Sequence, residues 1–312
     1  MLDRSNKKNP RGVKTIVSSA FYRRLLSCLD NLQPAMKTPY LIFLLSVFAL
    51  MVPGLTKAQI SDIQLLSKYS YPIFVVTGRQ QYTGTAFFYR SGDTSFLVSN
   101  YHAIKGMSPL KKTITFNADT LYLKYPIKKS RDFKIMAINI GEEITGKTEI
   151  FSMVDRIDLL KIPVVPPADA DILFINDRID ENYLNAEPEE VVVFGFPTNP
   201  GSIPAFYSRQ QRLEGRVNPN GFTDYDASLQ INFPNTSDSA RAIMNRTARY
   251  YYFIKPYAAQ GYSGAPVFGK FRNADNEVIY RFTGVIFAGQ PTTRQTWAIK
   301  GRVALKYLQG EL

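Results

Sequence analysis

Residues 260–267 read Gln-Gly-Tyr-Ser-Gly-Ala-Pro-Val, a serine held close to two glycines at the start of an apolar run. Glycine lets backbone N–H groups come close to a reacting carbonyl, and the turn presents the hydroxyl of Ser263, so the stretch suits a nucleophilic serine. Short runs of this kind also occur in ordinary turns. The interpretation therefore depends on whether the rest of the chain supplies a base and an acid.

Two upstream stretches supply these groups. Residues 84–99 predict a strand, a Ser-Gly-Asp turn and a second strand, and His102 follows at the strand end. Asp158 stands directly before the apolar run 159–162. The chain order is therefore His, Asp, Ser, which is one of the orders in which such a triad of side chains occurs.

The chemistry of a serine nucleophile explains why these residue types belong together. An alkyl hydroxyl is a poor nucleophile near neutral pH, so Ser263 needs a base beside it, and histidine has a suitable pKa. His102 is the only histidine in the chain. It needs an acceptor on its other ring nitrogen, a role that we assign to Asp158, with Asp155 as the competitor. A structural histidine at a strand end and a solvated surface aspartate are the alternatives.

These segments together resemble the trypsin-like, chymotrypsin-fold serine proteases, in particular the bacterial HtrA-like and glutamyl-endopeptidase-like branches, without a PDZ domain. The resemblance covers roughly 66–300 and includes the strands at 191–197 and 284–286. Animal members are usually stapled by disulfides, whereas residues 59–312 contain no cysteine, which fits the bacterial branches better.

The resemblance implies a role for each residue that matches the family pattern. His102, Asp158 and Ser263 would be the catalytic residues, because the Leu-Leu-Lys-Ile strand follows Asp158 as it does in the family. The backbone amides of Gly261 and Ser263 would form the oxyanion hole.

We therefore predict an all-β fold, a chymotrypsin-like double antiparallel β-barrel with a short C-terminal helix. Short strands separated by turn signals recur along the chain, and helical periodicity is almost absent. Residues 218–248 fit no predicted strand, and we expect a surface insertion bordering the substrate cleft there. The predicted boundaries are 59–312 for the protease domain, about 66–170 for the first barrel, about 189–299 for the second barrel and about 301–309 for the helix.

Specificity is predicted from residues around the serine. The family's specificity-pocket floor, six residues before the serine, falls on Tyr257, which has no acid to pair with a basic substrate side chain. The resemblance therefore implies an apolar or small side chain in the pocket. Phe287, Ala288 and Gly289 lie on a strand that resembles the one pairing with the substrate backbone. Tyr262 stands where animal zymogens carry an aspartate, so activation through that ion pair is not expected.

Positive charge is concentrated in the N-terminal section. Residues 1–58 hold nine of the 38 Lys and Arg and two of the 26 Asp and Glu, so the remainder is only mildly basic. It contains no basic motif interleaved with aromatic residues, and we expect no nucleic-acid partner. The single cysteine is Cys28, which excludes an intrachain disulfide. With one histidine and no later cysteine, we predict no metal site and no cofactor.

The N-terminal section also contains a segment typical of a secretory signal. Residues 40–52 form a short apolar run after a basic flank, and the following Thr-Lys-Ala predicts cleavage before Gln59. The run is short for a transmembrane helix, and an uncleaved membrane anchor is the alternative. Met36 is an alternative start, which would make residues 1–35 an upstream extension.

Taken together, these features predict an exported serine endopeptidase, periplasmic or extracellular, that hydrolyses polypeptide substrates through an acyl-enzyme. A membrane partner is expected only if the apolar segment stays uncleaved. The alternative is a catalytically inactive relative that binds peptides or acts as a scaffold. A third hypothesis is a basic, membrane-tethered interaction protein that uses residues 1–35.

Overall fold

Two antiparallel sheets carry the fold in the computed structural model. The structure describes residues 62–77, 80–106, 118, 120–140, 157–198, 208–232 and 237–311. These residues belong to one structural unit, Gln59–Leu312. The predicted signal segment with its cleavage site, the section 1–35 and the competing acid Asp155 lie outside the described residues.

The first sheet is a half-barrel of six strands. They are β1 (Tyr71–Thr77), β2 (Gln80–Ser91), β3 (Thr94–Ser99), β4 (Thr120–Pro126), β5 (Phe133–Asn139) and β6 (Leu160–Pro163). Their order is β5-β4-β1-β2-β3-β6, and each neighbouring pair is antiparallel. The long strand β2 pairs with β1 as far as Ala86 and with β3 from Phe87 onwards. This change of partner leaves one edge of β2 without a strand just before Phe87.

The second sheet closes into a barrel, also of six strands. They are β7 (Glu190–Gly195), β8 (Gln211–Val217), β9 (Tyr251–Lys255), β10 (Pro266–Arg272), β11 (Val278–Gln290) and β12 (Gln295–Lys300). Their order around the barrel is β10-β11-β12-β9-β8-β7. β11 pairs with β10 from Val278 to Val285 and with β12 from Gly284 to Gln290, with a bulge between Ile286 and Ala288. The predicted fold class of two antiparallel β-barrels with a C-terminal helix is confirmed.

The strands form because apolar and polar residues alternate along them. In β4 the side chains of Leu121 and Leu123 are buried, while their neighbours are partly exposed, so one face of the strand turns to the core. Each sheet encloses a cluster of buried apolar side chains, and a further core lies between the two sheets, where the rings of Phe87 and Phe282 are 5.9 Å apart. Full burial of such a side chain contributes about 1.5–3 kcal/mol, so this shared core holds the two sheets together.

Residues 62–66 are helical, and the α-helices that follow are α1 (Tyr101–Lys105), α2 (Glu181–Leu184), α3 (Gly221–Asn232), α4 (Asp238–Ala248) and α5 (Gly301–Gln309). In α5, Ala304, Leu305 and Leu308 are buried on one face, which is the helical spacing read from the sequence. The ammonium group of Lys161 on β6 donates to the Leu308 carbonyl at 2.7 Å, and the helix therefore spans from the second barrel to the first sheet. None of the helices in the described ranges is long and apolar enough to cross a membrane.

Helices α3 and α4 account for most of the segment 218–248, which we expected to be a surface insertion. Helix α3 was missed because its apolar residues do not follow a clear helical stripe: Phe222 is exposed, while Tyr225 is buried. The ring of Tyr225 packs edge-on against Trp297 at 4.8 Å and lies 5.5 Å from Phe253. Helix α3 is therefore anchored through Tyr225 in the core that the two sheets share.

Candidate active site

The position of His102 is set by the end of strand β3. Ser99 is the last residue of β3, and His102 lies in the single helical turn α1 that follows. Gly106 ends this turn with φ of +68° and donates its N–H to the His102 carbonyl at 2.9 Å. The short helix, which begins just after β3 and ends at Gly106, therefore holds the imidazole at the rim of the sheet.

Asp158 reaches the histidine because of strand register. β6 runs antiparallel to β3 with Ser99 opposite Leu160, so the residues that precede Leu160 lie beside those that follow Ser99. The Asp158 Oδ1 atom accepts the backbone N–H of His102 at 3.1 Å, and Oδ2 lies in hydrogen-bond contact with the ring Nδ1. The side chain of Asn100 donates to the Asp158 carbonyl at 2.6 Å. Asp158 is 2% exposed, so its orientation is determined by these bonds.

Ser263 comes from the other sheet. It lies in the turn directly before β10, and its Oγ atom is 3.0 Å from the Nε2 atom of His102. The structure therefore brings the three predicted residues into one hydrogen-bonded row, Asp158–His102–Ser263. The first two members belong to the half-barrel and the third to the closed barrel.

The electrostatics of the row favour a proton on the imidazole. Burial lowers the pKa of His102, but the negative charge of Asp158 and the hydrogen bond to it raise the pKa, and the net pKa lies above the ordinary histidine value. The His102 side chain is 26% exposed, so its Nε2 edge remains reachable. A neutral His102 in this setting can accept a proton from Ser263, and Asp158 stabilises the imidazolium that results.

The turn that carries Ser263, residues 259–265, is called the serine loop below. The four carbonyls from residue 260 to residue 263 each accept a hydrogen bond. The donors are Thr198 N to Gln260 O (3.1 Å), Thr85 Oγ1 to Gly261 O (2.7 Å), Ala265 N to Tyr262 O (2.9 Å) and Thr85 N to Ser263 O (2.8 Å). Among the described residues, the amides of Gly261 and Ser263 donate to no protein group. These are the two amides predicted to bind an oxyanion, and they are available to a ligand.

The two glycines of the loop are required by backbone conformation and by space. Gly261 has φ of +101°, and an added Cβ would collide with the carbonyl of Phe196 and come within 2.9 Å of the Cα of Pro197. Gly264 has φ of +86°, and an added Cβ would collide with the Thr85 carbonyl and the Ser99 hydroxyl. Both positions combine the left-handed conformation that favours glycine with close packing against other chain segments.

Tyr262, which precedes the serine, is part of the second barrel's packing. The side chain is 5% exposed, and its hydroxyl donates to the carbonyl of Gln211 at 3.2 Å. A Cβ added to Gly195 would lie 2.8 Å from the tyrosine Cε1, so strand β7 passes directly beneath the ring. Tyr262 therefore anchors the serine loop to strands β7 and β8 of the second barrel.

The predicted substrate-binding residues fall into two groups. Tyr257 is partly buried and lies beside the exposed Gly289, where an added Cβ would come within 2.7 Å of the tyrosine Cε2. Ala288 is partly buried. Phe287 is different because its side chain is 5% exposed and packs 4.4 Å from the ring of Tyr251, inside the core. Its side chain faces away from solvent, so only its backbone could meet a substrate.

The backbone of residues 287–289 has an open edge. Ala288 and Gly289 pair with β12 on one side, Phe287 lies in the bulge, and in the part of the chain that the structure describes no strand pairs with these three residues on the other side. An extended peptide can add to such an edge as a further strand. The pairing of this strand with a substrate backbone remains a prediction.

Sequence reasoning missed three residues that hold the row in place: Thr85, Ser99 and Asn100. All three are polar and fully buried, and each donates a side-chain hydrogen bond at the site. The sequence carried a partial signal, since polar residues interrupt the apolar strands that precede His102. Within the described ranges, no group of three or more His, Cys, Asp or Glu side chains is placed to hold a metal ion.

Neither a protein-family model nor a curated protein sequence matches this chain. Solved structures that resemble it are serine proteases. A serine endoprotease from Yersinia pestis shares 13% identity with a TM-score of 0.40, over 78% of this chain and 62% of that one. An HtrA-type protease with a tripeptide shares 15% with a TM-score of 0.41, over 80% and 62%. The protease Anisep from Arthrobacter nicotinovorans shares 10% with a TM-score of 0.43, over 75% and 90%.

This chain thus spans 62% of the length of the first two proteins named. The likeness concerns the fold, and the chemistry of the site is argued from this chain's own residues.

Proposed function

We propose that this protein is a serine endopeptidase that hydrolyses peptide bonds through an acyl-enzyme on Ser263. The observation that carries the proposal is the row Asp158–His102–Ser263, with 3.0 Å between the imidazole Nε2 and the serine Oγ. The two available amides of the serine loop support it further, because acyl transfer develops negative charge on the carbonyl oxygen.

In the acylation step, neutral His102 accepts the Ser263 proton at Nε2 while Oγ attacks the substrate carbonyl. The C–O bond forms, and the carbonyl π electrons move to oxygen, which becomes an oxyanion held by the amides of Gly261 and Ser263. Asp158 stabilises the imidazolium through Nδ1. His102 then gives the proton to the leaving nitrogen, the C–N bond breaks and the acyl-enzyme remains.

Water completes the reaction in the reverse sense. His102 accepts a proton from water as the oxygen attacks the ester carbonyl, and the same two amides hold the second oxyanion. The C–O bond to Ser263 breaks, the serine oxygen takes the proton from His102, and the carboxylic acid product leaves. Loss of one oxyanion donor lowers such rates about 100- to 1000-fold.

The proposed substrate is an extended polypeptide lying along residues 287–289, with an apolar or small side chain directed towards Tyr257. Main-chain hydrogen bonds to the strand edge give affinity for any extended peptide, and the pocket beside Tyr257 selects the substrate side chain. The contact of the Tyr257 ring with Gly289 supports a limited pocket at this point.

The proposal is tested by reaction of the full-length protein with a fluorophosphonate, followed by intact mass. We expect one adduct on the wild type and none on Ser263→Ala or His102→Ala. Asp158→Asn and Asp155→Asn form a matched pair: the first should lower the labelling rate roughly 10,000-fold and the second should not. An adduct that persists in Ser263→Ala, or a wild type that never reacts, would contradict the proposal.

We also propose that the protein is exported after cleavage of the signal-like segment. The support is the sequence of residues 40–58, a short apolar run after a basic flank that ends in Thr-Lys-Ala. The test is the N-terminal sequence of the protein recovered from its native cells, for which we expect a start at Gln59. A protein that retains residues 40–58 and sediments with membranes would favour an anchored form.

A further inference from the structure

The inference concerns Thr85, which joins the two barrels at the serine loop. Thr85 lies on β2 near the end of its pairing with β1, two residues before that strand begins to pair with β3 at Phe87. Its partner on β1 is Pro72, which has no N–H to donate. The polar backbone atoms of Thr85 point to the other edge, where a strand neighbour is missing and the serine loop takes its place.

Each polar atom of Thr85 is bonded at this edge. Its amide donates to the Ser263 carbonyl at 2.8 Å, and its hydroxyl donates to the Gly261 carbonyl at 2.7 Å. The hydroxyl oxygen also accepts the N–H of Phe196 at 3.2 Å, and the Thr85 carbonyl accepts the Ser99 hydroxyl at 2.7 Å. Thr85 is completely buried, so water cannot replace these partners.

The hydroxyl has a distinct role among the donors that hold the loop. Of the four donors to the carbonyls of residues 260–263, three are backbone amides and one is the Thr85 side chain. It fixes the carbonyl of Gly261, and hence the peptide plane between Gly261 and Tyr262. That plane lies between the two amides, of Gly261 and Ser263, that are available to an oxyanion.

We propose that Thr85 is a positioning residue for the proposed peptidase reaction, whose hydroxyl fixes the peptide plane that joins the two oxyanion-binding amides and so sets their directions. The inference rests on the proposed function and adds a residue on which the rate of the proposed reaction depends. Thr85 does not touch the reacting atoms. It acts through the Gly261 carbonyl, so it affects the rate of acylation more than the binding of substrate.

The test compares Thr85→Val with Thr85→Ser in the full-length protein. Valine keeps the shape of threonine and removes the hydroxyl, which leaves the Gly261 carbonyl and the Phe196 N–H without a partner. Serine keeps the hydroxyl and should rescue the loss. Thr283→Val is the control, because Thr283 is also buried, and its hydroxyl lies 3.4 Å from the Val267 carbonyl, away from the serine loop.

The first readout is the rate of fluorophosphonate labelling, separated into the maximal rate and the concentration for half-maximal rate. For Thr85→Val we expect the maximal rate to fall about 10- to 100-fold with little change in the half-maximal concentration. Thr85→Ser and Thr283→Val should stay within about threefold of the wild type. A Thr85→Val rate within twofold of the wild type, or a loss equal to that of Thr283→Val at matched stability, would overturn the inference.

The second readout is amide hydrogen exchange in the peptide that contains the serine loop. Thr85→Val should exchange the Tyr262 and Gly264 amides at least about tenfold faster, and Thr283→Val should not. This measurement does not need activity. If the wild type fails to react with the fluorophosphonate, the proposed function is wrong, while unchanged exchange in Thr85→Val would show that Thr85 does not position the loop.

Discussion

Replacement of Gly264 by alanine tests whether the serine loop is held by close backbone contact. Gly264 has φ of +86° and lies against the Thr85 carbonyl and the Ser99 hydroxyl, which an added Cβ would overlap. Gly310 has nearly the same φ, +82°, but a Cβ added there meets no atom within 4 Å. The two substitutions therefore share the backbone strain and differ in the steric overlap.

The expected losses follow from this difference. Left-handed backbone costs alanine about 1–2 kcal/mol at either position. Overlap in a packed interior adds about 1–3 kcal/mol at Gly264 alone. We therefore expect Gly310→Ala to lower the free energy of unfolding by about 1–2 kcal/mol and Gly264→Ala by about 2–5 kcal/mol.

Two assays measure the effect. The only tryptophan, Trp297, is 3% exposed, so its fluorescence reports unfolding in a urea titration. Labelling of Ser263 by a fluorophosphonate reports the loop itself, and we expect a loss of at least about tenfold in Gly264→Ala but less than about twofold in Gly310→Ala. Equal losses of stability in the two variants, or full labelling of Gly264→Ala, would refute the close contact with Thr85 and Ser99.

Four further outcomes are expected. Burial lowers the pKa of His102, but the charge of Asp158 and its hydrogen bond raise it, so labelling should increase with pH around a midpoint above about 6.5, and Asp158→Asn should move that midpoint down. The raised pKa also means that protonated His102 adds stability that is complete below about pH 6.5 and is lost as the pH rises through the folded-state pKa, which urea titrations at several pH values would detect. Tyr257→Ala should improve cleavage of peptides with large apolar side chains before the scissile bond, because the ring beside Gly289 is gone; an unchanged order of preference in a peptide series would contradict this. Asn100→Ala leaves the buried Asp158 carbonyl without its donor and should lower the free energy of unfolding by about 1–3 kcal/mol, whereas an unchanged urea midpoint would show that the bond contributes nothing.

Features that depend on neighbours in the chain were predictable from the sequence. Alternation of apolar and polar residues marked the strands, and helical spacing marked the terminal helix α5. The glycines beside Ser263 marked a turn, and His102 could be chosen because the chain has no other histidine. The strand and helix predictions are confirmed because a period of two or of 3.6 residues is a local property of the chain.

Tertiary structure decided the contacts between distant segments. Asp158 meets His102 because Ser99 pairs with Leu160, and a shift of that register by one residue would turn the carboxylate to the other face. The burial of Phe287 against Tyr251 depends on how β9, β11 and β12 lie together in the barrel, which no single strand specifies.

The sequence by itself thus determined the residue types of the site, their chain order and the two-barrel class. Only the tertiary structure decided that Thr85, 178 positions before Ser263 in the chain, would hold the serine loop. The physical reason is that the buried N–H and C=O groups of a strand edge must form hydrogen bonds, but the sequence of the strand does not specify which segment supplies the partners. The unpaired edge of β2 had to be satisfied by some group, and the packing of Phe87 against Phe282 brings the serine loop to it.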